Sequence, residues 1–122
     1  MPYVRIYADL DGESHMEDVA VAMAPTEVFP GLPHLFVAPP IATTSLILVT
    51  FPAEARSAGW RRPPCRQFVI FGADIEVEVS DGAVRRISAG SPVLFEDTTG
   101  KGHATRVLAA GETLALFLPL AD

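Results

Sequence analysis

Proline and glycine constrain this chain before any motif does. Eleven prolines and nine glycines are spread over 122 residues. Few windows therefore place apolar residues at i, i+3, i+4 and i+7 without an interrupting breaker, and helices have little room. The segments between the breakers are short, apolar and often alternating, which is the pattern of strands. Strands are expected at 4–8, 18–24, 35–37, 45–50, 67–71, 75–79, 84–87, 93–96, 105–109 and 114–118. The length suits one domain, 1–122, with enough chain to bury a real core.

The clearest local pattern is Ile75-Glu76-Val77-Glu78-Val79, with the apolar side chains toward a core and the glutamates toward water. Ser80-Asp81-Gly82-Ala83 follows, and Asp-Gly predicts a short hairpin because both central residues tolerate positive φ. Val84-Arg85-Arg86-Ile87 returns, so Glu76 and Glu78 are expected to meet Arg85 or Arg86 across the strands. Leu46-Ile47-Leu48-Val49 and Phe68-Val69-Ile70-Phe71 are apolar on both faces and are expected to be covered on both, as in a sandwich or barrel. The proline-rich stretch 25–40 is expected to be an ordered loop wrapping the domain.

Charge is unevenly placed. Residues 1–55 hold Arg5 against Asp9, Asp11, Glu13, Glu17, Asp18, Glu27 and Glu54, which accounts for the whole net charge of −6. Residues 56–122 are balanced, and four of their arginines fall between Arg56 and Arg66. An acidic chain argues against a nucleic-acid partner, whose phosphates need a basic face. The single Cys65 excludes a disulfide scaffold and a cysteine zinc site. The N-terminus lacks the apolar core of a signal peptide. Residues 28–53 carry no Asp, Glu, Lys or Arg, but Pro30, Pro33, Pro39, Pro40 and Pro52 forbid a membrane helix. A cytoplasmic protein without a membrane partner is the expectation.

The order of motifs carries a resemblance. Trp60-Arg61-Arg62-Pro63-Pro64-Cys65-Arg66-Gln67-Phe68-Val69-Ile70-Phe71 precedes the Glu-Val-Glu-Val hairpin. The hairpin is followed by Gly90-Ser91-Pro92-Val93-Leu94-Phe95-Glu96-Asp97-Thr98-Thr99-Gly100-Lys101-Gly102-His103. With Arg5-Ile6-Tyr7-Ala8-Asp9 and Gly12-Glu13-Ser14-His15 near the N-terminus, this resembles the small single-domain cupins of unassigned function. The resemblance implies an all-β double-stranded β-helix, or jelly-roll barrel. In it, 1–55 supply N-terminal strands and a proline-rich loop, and 56–122 carry the two cupin motifs. It also implies a homodimer joined through sheet edges or exchanged terminal strands, and the apolar segments 4–7 and 19–24 are the expected contributors.

The family's metal site takes two His and one Glu from the first motif and one His from the second. Here Arg61 and Pro63 stand at the two His positions, Gln67 at the Glu position, and Asp74 where a glycine is usual after the strand. Only His103 survives. The resemblance therefore implies the pocket without its metal. If a divalent transition metal were held, His103 with Gln67 would be its protein ligands, although Arg61 would repel it. No cofactor is expected.

The altered motif suggests an anion pocket. Arg61 supplies forked donors for a carboxylate or phosphate. Gln67 and His103 add hydrogen bonds, and Trp60 and Phe95 wall an apolar portion. Gln67 shares strand parity with Val69 and Phe71, and His103 is the partner expected for its amide. Arg61 and Arg62 can equally be solvated loop charges. Glu96 and Asp97 can form an acid–base pair near His103 or cap the Thr98-Thr99-Gly100 turn, and the turn role is preferred for Asp97. His15 and His34 read as turn and loop residues, and Asp9-Leu10-Asp11-Gly12-Glu13 as solvated turn carboxylates rather than a calcium loop. Cys65 has arginine neighbours but no visible base. The expected function is binding of a small anionic molecule. The alternative is a metal-dependent cupin enzyme of isomerase or oxygenase type.

Overall fold

The computed structural model describes residues 1–122, apart from the side chain of Ala58. The chain is all-β, with a single 3-10 turn at Ala53–Ala55. Its first strands are β1 (Pro2–Ala8), β2 (Ser14–Ala20), β3 (Ala24–Thr26), β4 (Leu35–Val37), β5 (Ile47–Phe51) and β6 (Ser57–Arg61). These are followed by β7 (Gln67–Phe71), β8 (Ile75–Val79), β9 (Val84–Ile87), β10 (Pro92–Phe95), β11 (His103–Val107) and β12 (Thr113–Pro119). A six-stranded sheet runs β2-β1-β10-β7-β12-β5, and a four-stranded sheet runs β6-β11-β8-β9. Strand β1 joins β10 in parallel, whereas the other ladders are antiparallel.

Both sheets contribute to one core. Val4, Ile6, Val69, Phe71, Val93, Phe95 and Ala115 come from the larger sheet, and Ile75, Val77, Val79, Ile87 and Val107 from the smaller. Alternation explains the choice of residues. In β8 the apolar positions are buried and Glu76 and Glu78 are not. Among the described residues, no helix is long and apolar enough to cross a membrane.

The β8–β9 hairpin forms where the Asp-Gly signal places it. Val79 N–H donates to the Ala83 carbonyl and Gly82 N–H to the Val79 carbonyl, and Gly82 has a φ of 98°; among the described residues only glycines have positive φ. The loop is short and closed by a left-handed glycine. The expected cross-strand ion pairs do not form. Glu76 lies opposite Arg86 in the ladder, but Arg86 turns to Asp74 and Glu76 pairs with Arg106 from β11. Arg85 reaches Asp18 instead. A long flexible cation takes whichever carboxylate its stem can reach, and register alone does not decide it.

The region between β2 and β5 differs most from expectation. Residues 18–24 do not form one strand; β2 stops at Ala20 and β3 begins at Ala24. The proline-rich stretch is largely exposed, and its end, Ala38 and Pro39, lines a groove with Tyr3, Phe68 and Ile70 of the larger sheet. It forms an arm in which β3 and β4 pair only with each other, with Phe29 and Phe36 more than half exposed. Strand β5 is an edge strand paired only to β12, and Leu46 and Leu48 are exposed rather than covered on both faces. By contrast β7 lies inside its sheet and is buried almost throughout. Both are apolar runs. Their different burial comes from position in the sheet, which composition does not encode. Residues 4–7, expected at a sheet edge, belong to β1, which sits between β2 and β10 with Val4 and Ile6 buried.

Candidate functional site

The two sheets leave a cavity of about 270 Å³ between them, near the small end of ligand pockets. Its apolar walls are Phe51, Val69, Phe71, Val107 and Phe117, from both sheets. Its polar groups on strands come from three of them, β6, β7 and β11. Gln67 opens β7 directly opposite Phe95 at the end of β10, and His103 opens β11 directly opposite Arg61 at the end of β6. Phe95 stacks on the His103 ring, with centroids 4.5 Å apart and planes 27° from parallel, so the stack bridges the two sheets.

Glycine makes the Arg61–His103 approach feasible. Gly102 has a φ of 74°, and a Cβ there would lie 2.6 Å from the Arg61 carbonyl carbon and 3.0 Å from the Arg62 nitrogen. Its carbonyl accepts from Ser14 Oγ at 2.6 Å, and Ser14 Oγ also accepts from Ser80 N–H at 2.8 Å. Ser14 is fully buried, so the N-terminal strands brace the turn that presents His103.

His103 is buried, and its Nδ1 lies 2.6 Å from Asp97 Oδ2. Asp97 is completely enclosed, and its Oδ1 has no hydrogen-bond partner in the protein. This corrects the turn-capping role expected for Asp97. Backbone bonds hold this segment instead, with Thr98 N–H donating to the Glu96 carbonyl and Lys101 N–H to the Gly12 carbonyl. Val93 and Phe95 are buried on the same parity, so continuing the alternation of β10 carries Asp97 inward and Glu96 outward. His103 accordingly binds Asp97, not Gln67. Gln67 lines the cavity, and its side-chain neighbour is the Cys65 thiol at a long 4.0 Å.

Two other expected site residues lie elsewhere. Trp60 precedes Arg61 on β6 and so faces the opposite side, beside Glu78, Val84 and Lys101 in an outer groove. Glu96 lies outside the cavity between Arg5 and Arg66. Burial opposes its ionisation, but the two guanidiniums outweigh that and hold its carboxyl below the usual range.

Arg61 and Arg62 both line the cavity, joined by Arg56. The basic side chains of the chain divide cleanly. Arg5, Arg66, Arg85, Arg86, Lys101 and Arg106 are each paired with a carboxylate. Among the described residues, Arg56, Arg61 and Arg62 make no ion pair, and Arg56 donates to the Ala109 carbonyl at 3.1 Å. Thr105 completes the polar set; it lines the cavity on the same face of β11 as His103, and its buried Oγ1 has no partner in the protein. Arg56 and Thr105 are absent from the sequence-derived set, although the shared parity of Thr105 with His103 marks it.

The donor set does not fit a transition metal. Among the described residues no three His, Cys, Asp or Glu side chains group as ligands, and the cavity faces His103 with arginines and a neutral amide. Cys65 has no base beside it among the described residues.

His15 is not a simple turn residue. It lies on β2 with Nε2 2.7 Å from Asp9 and Nδ1 2.8 Å from Asp81, joining the first turn to the β8–β9 hairpin. The Asp9 and Asp81 carboxylates raise its pKa. The Asp9 loop thus serves this clasp, with Asp9 Oδ1 also accepting from Asp11 and Glu13 N–H.

No family model matches the chain, and a search of curated proteins returns no significant match.

Proposed function

We propose that this chain is a cupin-like protein, with a jelly-roll arrangement of its two sheets, that binds a small anionic molecule between them without a tightly held metal. The observation that carries this reading is the division of the cations. Arg56, Arg61 and Arg62, which line the mouth of the cavity with exposed side chains, are the cations left without carboxylate partners, while the other basic groups are paired. Guanidinium groups beside apolar walls suit an anion with an apolar body. The order of the two motifs and the His103 turn support the cupin relation.

Isothermal titration with 3-phenylpropionate, acetate and inorganic phosphate tests the reading. A charge-assisted hydrogen bond contributes about 1.5–3 kcal/mol, so Arg61→Ala should weaken binding roughly 10- to 100-fold. Absence of binding by every probe, or unchanged affinity in Arg61→Ala, would reject it.

We also propose that the chain pairs as a homodimer. The exposed Phe29 and Phe36 of the arm and Leu46 and Leu48 at β5 support this, because exposed apolar surface marks interaction sites. An enzymatic role is favoured by a separate observation, the buried His103–Asp97 pair.

A further inference from the structure

We propose that His103 and Asp97 form an acid–base dyad that moves a proton on the molecule held by Arg61, and that the substrate class is small 2-oxo acids with an apolar body. This rests on the anion-site reading and extends it from binding to chemistry.

The geometry separates the two ring nitrogens of His103. Nδ1 is turned into the core against Asp97 at 2.6 Å. An ionised carboxylate only accepts, so this contact places the proton of neutral imidazole on Nδ1 and leaves a lone pair on Nε2. Among the described residues Nε2 has no hydrogen-bond partner, and His103 forms part of the cavity wall. The stack on Phe95 restrains the ring from turning. A base, the carboxylate that orients it and an unpaired cation on the adjacent strand are thereby gathered around one small apolar space. A purely structural histidine needs no such access to the cavity.

The step balances without a co-reactant. The carboxylate of the 2-oxo acid lies against Arg61. The C–H bond beside the keto group breaks, its proton passes to Nε2, and its electron pair becomes the new C=C bond of the enolate. The keto C=O π pair moves to oxygen, where Thr105 Oγ1 or a guanidinium can stabilise it. His103 is then an imidazolium paired with Asp97. Return of a proton from Nε2 to the same carbon completes an exchange; its delivery to the enolate oxygen completes the tautomerisation to the enol. His103 is the catalytic residue, and Asp97 is a positioning residue that fixes the tautomer.

The test uses the full chain and two probes. Titration with 3-phenylpropionate reads the anion site alone. Phenylpyruvate in buffered D₂O, followed by loss of its methylene proton signal, reads proton transfer above the buffer rate. Wild type should bind the first and accelerate exchange of the second by about 100-fold or more. His103→Gln should return exchange to the buffer rate while 3-phenylpropionate binding stays measurable. Asp97→Asn should keep binding, slow exchange about 100-fold and alter its pH profile, which a merely structural role would leave in place. Binding without accelerated exchange in wild type, or acceleration that survives in folded His103→Gln, overturns the dyad while leaving the anion site standing. Failure to bind either probe overturns both.

Discussion

Replacing Gly102 by alanine probes the contact on which the site depends. Gly102 has a φ of 74°, and an added Cβ would fall 2.6 Å from the Arg61 carbonyl carbon. Gly90 is a matched control, with a φ of 83° and nothing within 4 Å of its added Cβ. Left-handed backbone costs an L-residue roughly 1–2 kcal/mol, partly offset by about 0.4–1 kcal/mol from a stiffer unfolded chain. Gly90→Ala should therefore cost about 1 kcal/mol. Gly102→Ala carries the same penalty plus the steric one, and forcing atoms into a filled space costs about 1–3 kcal/mol. Its total should be about 2–4 kcal/mol. The obstacle is backbone of β6, which moves only by opening its pairing with β11. Urea unfolding followed by circular dichroism, with both variants at a common m-value, gives the difference. The folded Gly102→Ala protein should also bind 3-phenylpropionate more weakly, because the displaced strand carries Arg61. Equal unfolding midpoints for the two variants would refute the argument that β6 and β11 meet closely at this glycine.

Ser14→Ala removes a buried hydroxyl that serves both the Gly102 carbonyl and Ser80 N–H. It should destabilise the chain by about 1–3 kcal/mol in the same urea assay, whereas Thr99→Ala on the exposed turn should be nearly neutral. His15 should titrate above 6.5 because Asp9, and after it Asp81, favours its protonated form. Its contribution to stability is full below the ordinary imidazole value and is lost as pH rises through the raised folded value. The two aspartates, whose pKa values are lowered, act oppositely, losing their contribution as pH falls through their folded values. NMR titration should show Asp81→Asn lowering the His15 midpoint; an unmoved midpoint would deny the clasp. Phe36→Asp on the exposed arm should shift the chain toward monomer by light scattering, and a wild-type monomer at high concentration would reject pairing.

Strand parity was legible along β7 and β10. Gln67 with Val69 and Phe71, and Phe95 with Val93, face inward as their alternation requires. The same rule carried one residue past β10 separates Asp97 from Glu96, yet the Thr-Thr-Gly turn beside them offers an equally good local use for a carboxylate. Local hydrogen bonding and core pairing compete there, and only the position of His103 across the gap decides. On β6 the neighbouring pair Trp60 and Arg61 cannot both face the cavity, and the short strand has no buried apolar partner to set its phase in advance. The partners of Arg85 and Arg86 were illegible for a different reason, since Asp18 and Asp74 approach from outside the hairpin.

By itself the sequence determined the all-β class, the β8–β9 hairpin and an uneven charge distribution, because breakers, alternation and residue counts act locally. It also placed Arg61, Gln67, Phe95 and His103 in the motifs from which the cavity is built. The tertiary structure decided that Asp97 is the partner of His103, that Glu96 and Trp60 lie outside, and that Arg56 and Thr105 belong inside. Those assignments depend on which strand ends meet across two sheets, and on which cations find carboxylates on the way. They are properties of contacts between residues far apart in the chain, so no local pattern contains them.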